Sequence, residues 1–196
     1  PHFGIVFTYS ATTYGTVYHH QWSSSPFSSG HFLTSSAAVF TSSNIWGSAK
    51  PTSTLWTGLV GSLFSAGQTY MFYSWTGIPG YSHFGSYTGN GSAAAGPFVY
   101  TGFKPKLIWI KSAGAYSNYV FNTETHPNNP GGEDVVFDGN YSEASTGNEG
   151  IEILSNGFKI RTSSVGTNQD GVHNVFGAWA EHPFAGTSLV NPTTAR

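Results

Sequence analysis

Large apolar residues alternate with smaller or polar neighbours over short stretches of this chain. Phe3, Ile5 and Phe7 follow this pattern, and so do Leu107 and Trp109. A two-residue period places one set of side chains on one face of a strand. Gly96-Pro97-Phe98-Val99-Tyr100 is aromatic and β-branched, as strands favour. Ile151-x-Ile153, then Phe158-x-Ile160, predicts a hairpin turning at Asn156-Gly157. Val175-Phe176-Gly177-Ala178-Trp179 predicts a buried strand with small residues between the large ones. Clusters of Ser, Thr and Gly recur at roughly the 8–12-residue spacing of short strands. No window sustains a 3.6-residue period with caps. Ser36–Phe40 and Ala93-Ala94-Ala95 are too short to predict helices. The expected fold is all-β, an antiparallel β-sandwich of jelly-roll or concanavalin-like type.

A weak repeat runs through this pattern. Tyr70-Met71-Phe72-Tyr73-Ser74-Trp75 aligns with Asn174-Val175-Phe176-Gly177-Ala178-Trp179, an offset of 104 residues. The same offset pairs Gly67 with Gly171, Pro79 with Pro183, and Pro1-x-Phe3-x-Ile5-Val6 with Pro105-x-Leu107-x-Trp109-Ile110. One offset serving the beginning, middle and end predicts two tandem related copies. The expected boundaries are copy one at 1–86, a connecting segment at 87–103, and copy two with a C-terminal tail at 104–196. The connecting segment opens on Thr88-Gly89-Asn90-Gly91, which is turn chemistry. The chain begins as a strand already under way, and we expect it to be a piece of a longer polypeptide.

Composition narrows the class. Only 8% of the 196 residues are charged, where about 25% is usual for soluble domains. Aromatics reach 16%, which argues against disorder. A net charge of −2 provides no footprint for nucleic acid. The absence of cysteine excludes a disulfide scaffold, a thiolate metal site and a cysteine nucleophile. No apolar run is long enough for a membrane-spanning helix. All nine acidic residues lie between Glu124 and Glu181, and Lys50 is the only charged residue from Pro1 to Phe103. The first copy must keep its surface wet with Ser, Thr, Gly, Asn, Tyr and His. Low charge also removes repulsion between copies.

Several motifs carry a family resemblance. They are Gly85-Ser86-Tyr87-Thr88-Gly89-Asn90-Gly91-Ser92, Gly96-Pro97-Phe98-Val99-Tyr100-Thr101-Gly102-Phe103-Lys104-Pro105, Leu154–Arg161 and Ala178-Trp179-Ala180-Glu181-His182-Pro183-Phe184. With Pro51-Thr52-Ser53-Thr54 and Thr193-Thr194-Ala195-Arg196, they resemble a repeated module of bacteriophage tail-fibre and virion structural proteins. The resemblance covers nearly the whole chain and implies a concanavalin-like or jelly-roll sandwich. It carries no catalytic residues, because the matched positions are Gly, Asn, Pro and apolar residues. One departure is Phe7, which stands where copy two has Lys111.

Candidate chemistry is sparse. A glycosidase needs two carboxyl groups across the sugar, and the first copy has none. Glu133, Asp134, Asp138, Glu143, Glu149, Glu152 and Glu181 show no pairing pattern. No Gly-x-Ser-x-Gly elbow is present for a serine nucleophile. His19 and His20 are adjacent, so a strand points them to opposite faces and disfavours a shared metal. Glu133, Asp134 and Asp138, near Asn128, Asn129 and Asn140, offer hard oxygen ligands for Ca²⁺. The competing reading is a turn-rich loop, and no other cofactor is expected.

Trp75, Trp109 and Trp179 fall at core-strand positions. Tyr9, Tyr14, Trp22, Trp46, Tyr116 and Tyr141 lie nearer turns and are the candidates for ligand or subunit contact. The leading expectation is a non-enzymatic virion protein contacting other virion proteins or copies of itself, as a homo-oligomer. The alternative is a glycan-binding module for host attachment. A glycan-degrading enzyme is the third reading.

Overall fold

The computed structural model describes residues 1–9, 15–22, 28–33, 35–41, 45–46, 50–52, 54–56, 64, 66–122, 135–136 and 150–183. Thirteen strands and one short helix follow in chain order. They begin with β1 (Phe3–Thr8), β2 (Thr16–His19), β3 (Ser29–Phe32), β4 (Phe40–Thr41) and β5 (Tyr70–Trp75). These five form one antiparallel sheet in the order β4-β3-β2-β1-β5. Next come β6 (Ser82–Thr88), β7 (Phe98–Tyr100), β8 (Pro105–Ser112), β9 (Asn118–Asn122) and β10 (Val135–Val136). The chain continues through β11 (Ile151–Leu154), β12 (Gly157–Ile160), the helix α1 (Val165–Asn168) and β13 (His173–Ala180). A second five-stranded sheet runs β10-β9-β8-β13-β6, and a three-stranded sheet runs β11-β12-β7.

The two large sheets pack face to face as a sandwich. Phe3, Val17, Trp22 and Leu33 on the first meet Phe84, Trp109 and Val175 on the second. Phe3 is the hub, with Phe84 stacked at 5.5 Å, Trp109 at 5.0 Å and Trp75 at 5.2 Å between ring centroids. Burying one such ring contributes about 1.5–3 kcal/mol. The second sheet is covered on its other face too. Ile108, Ile110, Phe176 and Ala178 point into a core shared with Val99, Ile151, Phe158 and Ile160 of the small sheet. The outer face of the first sheet is covered by Ile45, Trp46 and Phe64, with Trp56 packed against them.

The 104-residue offset reappears as register. β1 pairs with β5 from Phe3↔Trp75 to Thr8↔Tyr70. β8 pairs with β13 from Leu107↔Trp179 to Ser112↔Asn174, and each pair is a β1–β5 pair shifted by 104 in both strands. The first hairpins differ by one residue, with Ile5↔Val17 against Trp109↔Val120. Gly67 and Gly171, at φ 80° and 70°, make the left-handed turn before the matching strands. That conformation penalises a Cβ, which explains a glycine at both positions.

The sandwich forms between the halves of the chain, not inside each. β6 begins within the expected first copy yet pairs with β13 over seven residues. Phe98–Tyr100, in the expected connecting segment, is a strand paired with β12. The expected hairpin at 151–160 is present, but its turn is Ser155-Asn156, since Leu154 pairs with Gly157. Gly157 serves a different need: a Cβ there would collide with the Val99 carbonyl.

Candidate functional site

A layer of buried polar side chains joins the two large sheets. His19 is fully buried, its Nε2–H donating to the Phe176 carbonyl at 3.1 Å and its Nδ1 accepting from the Gln21 N–H at 3.2 Å. That arrangement fits a neutral ring. Desolvation, reinforced by nearby His20, pushes its pKa down to about 3. His31 is also fully buried, and its Nε2 bonds Asn118 Oδ1 at 3.1 Å. Burial and the Lys111 charge hold His31 well below the usual histidine range. Asn118 Oδ1 also accepts from Trp109 Nε1 at 3.2 Å, while Asn118 Nδ2 donates to the Phe32 carbonyl at 3.1 Å. One amide thereby ties β9 to β3 and fixes the Trp109 ring. Lys111, buried where β1 has Phe7, donates to the carbonyls of Ala37 and Tyr116.

The hydrogen bonds of this layer tie strands of the two sheets together. Among the described residues, no group of three or more His, Cys, Asp or Glu is arranged to hold a metal. Glu181 pairs with Lys104 at 2.7 Å, and Glu152 pairs with Arg161, so these two acids hold strand ends together. Glu133, Asp134 and Asp138, proposed above as Ca²⁺ ligands, lie outside the described residues, as do Tyr14 and Tyr141.

Two surface expectations need correction. Trp22 and Trp46 are 1% and 0% exposed, so neither ring is open to a ligand or subunit. Trp22 stands edge-on to His31 at 5.4 Å within the sandwich core, and Trp46 donates its Nε1–H to the Ser29 carbonyl at 2.9 Å. Nearness to a turn misled here, because both turns fold their tryptophan back under the sheet. Tyr9 is 80% exposed, and Tyr116 is half-buried.

Described residues line two concavities of interest. An apolar cavity of about 320 Å³ lies between the large sheets. Its walls include Phe3 and Leu107, Ile5 and Trp109, and Trp75 and Trp179, each pair separated by the 104-residue offset. A polar groove of about 340 Å³ runs along β6, between Gln21 on one side and Phe98, Val99 and Tyr100 on the other. Phe98 and Tyr100 are exposed at its rim. The outer edge of β6 is occupied at its first residues. Ser82 exchanges both backbone hydrogen bonds with Ile78, and the Phe84 carbonyl accepts from His20 Nε2 at 3.0 Å.

The outer edge of β5 is different. Met71, Phe72 and Tyr73 are exposed, with Tyr9, Leu55, Ile78 and Tyr81 on the flanking segments. Edge strands are usually blunted by Lys, Pro or a bulge. None of these stands within Tyr70–Trp75, and its pairing with β1 is regular. The sequence signal was present in Tyr70-Met71-Phe72-Tyr73, a run with no buried period.

Fold and surface together define a sparsely charged, aromatic β-sandwich whose β5 edge carries no strand among the described residues. The chain belongs to a family described as Domain of unknown function (DUF7483), whose model matches residues 1–183 and so spans both large sheets. No curated protein and no solved structure matches the chain.

Proposed function

We propose that this protein is a non-enzymatic structural module of a bacteriophage virion, in a fibre, tail or capsid-surface protein. It is built from two tandem related copies that pack as one sandwich. The observation that carries the reading is the exposed, uncharged aromatic surface on and around β5. Large apolar side chains held in water favour burial against protein, and without charges no desolvation penalty opposes it. The shared register of β1–β5 and β8–β13 supports the duplication. The motif resemblance supports the virion setting, and with it an extracellular particle as the location. The partners are then copies of this chain or other virion proteins. Sedimentation of the purified chain tests the reading, with a homo-oligomer expected. A chain that stays monomeric, with no peptide of this sequence in a proteomic survey of phage particles, overturns it.

The polar groove along β6 favours a second reading, attachment to a host glycan. Saccharides take aromatic faces and backbone hydrogen bonds together, and the groove offers Phe98 and Tyr100 beside the outward backbone of Ser86. A glycan array with no signal, or one unchanged by Tyr100→Ala, excludes it.

A further inference from the structure

The two large sheets differ beyond β5 and β13. On β13, the edge away from β8 is covered by β6, antiparallel, from His173↔Thr88 to Trp179↔Ser82. The matching edge of β5, away from β1, has no strand on it among the described residues. Backbone alternation says which groups are open there. The Thr69 and Trp75 carbonyls accept from Tyr9 and His2, so odd-numbered residues face β1. Tyr70, Phe72 and Ser74 therefore face outward. The outward N–H and C=O of Phe72 and Ser74 have no hydrogen-bond partner among the described residues.

We infer that this edge pairs with the β5 edge of a second copy, antiparallel, across a two-fold axis. The inference rests on the assembly reading above and names its partner and geometry. Three observations select a second copy. An antiparallel strand meeting itself is self-complementary, as a closed two-fold dimer requires. The strand carries no charge, so two copies place no like charges opposite each other. And the pairing gives β5 the same neighbour geometry that β13 already has from β6. In the register with Phe72 opposite Phe72 of the second copy, the two residues exchange both backbone hydrogen bonds. Their rings then lie next to each other on one face, beside Trp56, which already touches Phe72 at 5.7 Å. The β6 edge offers a shorter run, because Ile78 takes both Ser82 backbone groups and His20 takes the Phe84 carbonyl.

The test uses the full chain in sedimentation or light scattering. The wild type should run at twice its 20.9 kDa mass. Ser74→Pro removes an outward N–H that has no intramolecular acceptor and should weaken self-association more than ~10-fold, leaving a folded monomer. A folded Ser74→Pro that associates as well as wild type overturns the edge pairing but leaves the assembly reading standing. A wild type that is monomeric at every concentration overturns the pairing, and the assembly reading falls with it only if phage particles contain no peptide of this sequence. Should Ser74→Pro not fold, Phe72→Lys and Phe72→Glu decide the matter. Each alone should be monomeric and the equimolar mixture dimeric, since opposite charges then meet at the axis. A mixture that does not associate overturns the pairing.

Discussion

Acid should destabilise this protein through its buried histidines, and His19 sets the scale. Its ordinary pKa is 6.5, and burial pushes the folded value down to about 3. The unfolded chain therefore binds a proton that the folded chain refuses. Stability from this group is complete above pH 6.5 and falls as the pH drops, until the folded ring itself protonates near 3. At one proton the slope is about 1.4 kcal/mol per pH unit, so His19 alone costs about 2 kcal/mol at pH 5. His31 acts in the same direction and adds to this loss. Urea unfolding at pH 7.5 and pH 5 measures it. The comparison variant is His19→Gln, which does not titrate and whose amide can still donate to the Phe176 carbonyl. His19→Gln should be the less stable protein at pH 7.5, and its deficit should shrink by about 2 kcal/mol at pH 5. A gap between the two proteins that is the same at both pH values refutes the reasoning.

Other substitutions report on particular contacts. Trp22→Ala should cost about 3–5 kcal/mol in urea unfolding, as a buried core ring does; a loss below 1 kcal/mol would return Trp22 to the surface. Gly157→Ala should cost about 1–3 kcal/mol, because the new methyl meets the Val99 backbone and a backbone carbonyl cannot swing aside. Gly67→Ala and Gly171→Ala should each cost about 1–2 kcal/mol from the positive φ alone, since neither added methyl meets any atom. Unequal losses at those two glycines would count against their being equivalent turns.

Much of the sheet framework was legible because period two and small residues leave a strong mark. Val175–Trp179 and Leu107–Trp109 read as strands from their spacing alone, and the 104-residue offset later proved to be a register. Layering was not legible. A repeat is compatible with halves that close separately or pack on each other; here the odd-numbered face of β1, with Phe3, packs on the odd-numbered face of β8, with Trp109. Sequence periodicity says which residues share a face but not which sheet that face meets. Trp22 and Trp46 failed for a related reason. Turn positions are commonly wet, but a tryptophan at a turn can fold back beneath the neighbouring sheet, and local pattern carries no trace of that. The open edge was hidden by the repeat itself. The repeat aligns Phe72 with Phe176 and carries no sign of what covers either. Phe176 lies under Phe158 of the small sheet with β6 beside its strand, while β5 has no strand beyond it among the described residues.

The central claim is that the β5 edge is covered in the assembled protein. Amide hydrogen exchange at Phe72 and Ser74, followed over a range of protein concentrations, tests it most directly. Met71 and Tyr73, bonded to β1, serve as internal references and should be protected throughout. The account expects Phe72 and Ser74 to exchange quickly when dilute and to approach the protection of Met71 and Tyr73 as concentration rises. Fast exchange at Phe72 and Ser74 at every concentration, beside protected Met71 and Tyr73, would contradict it.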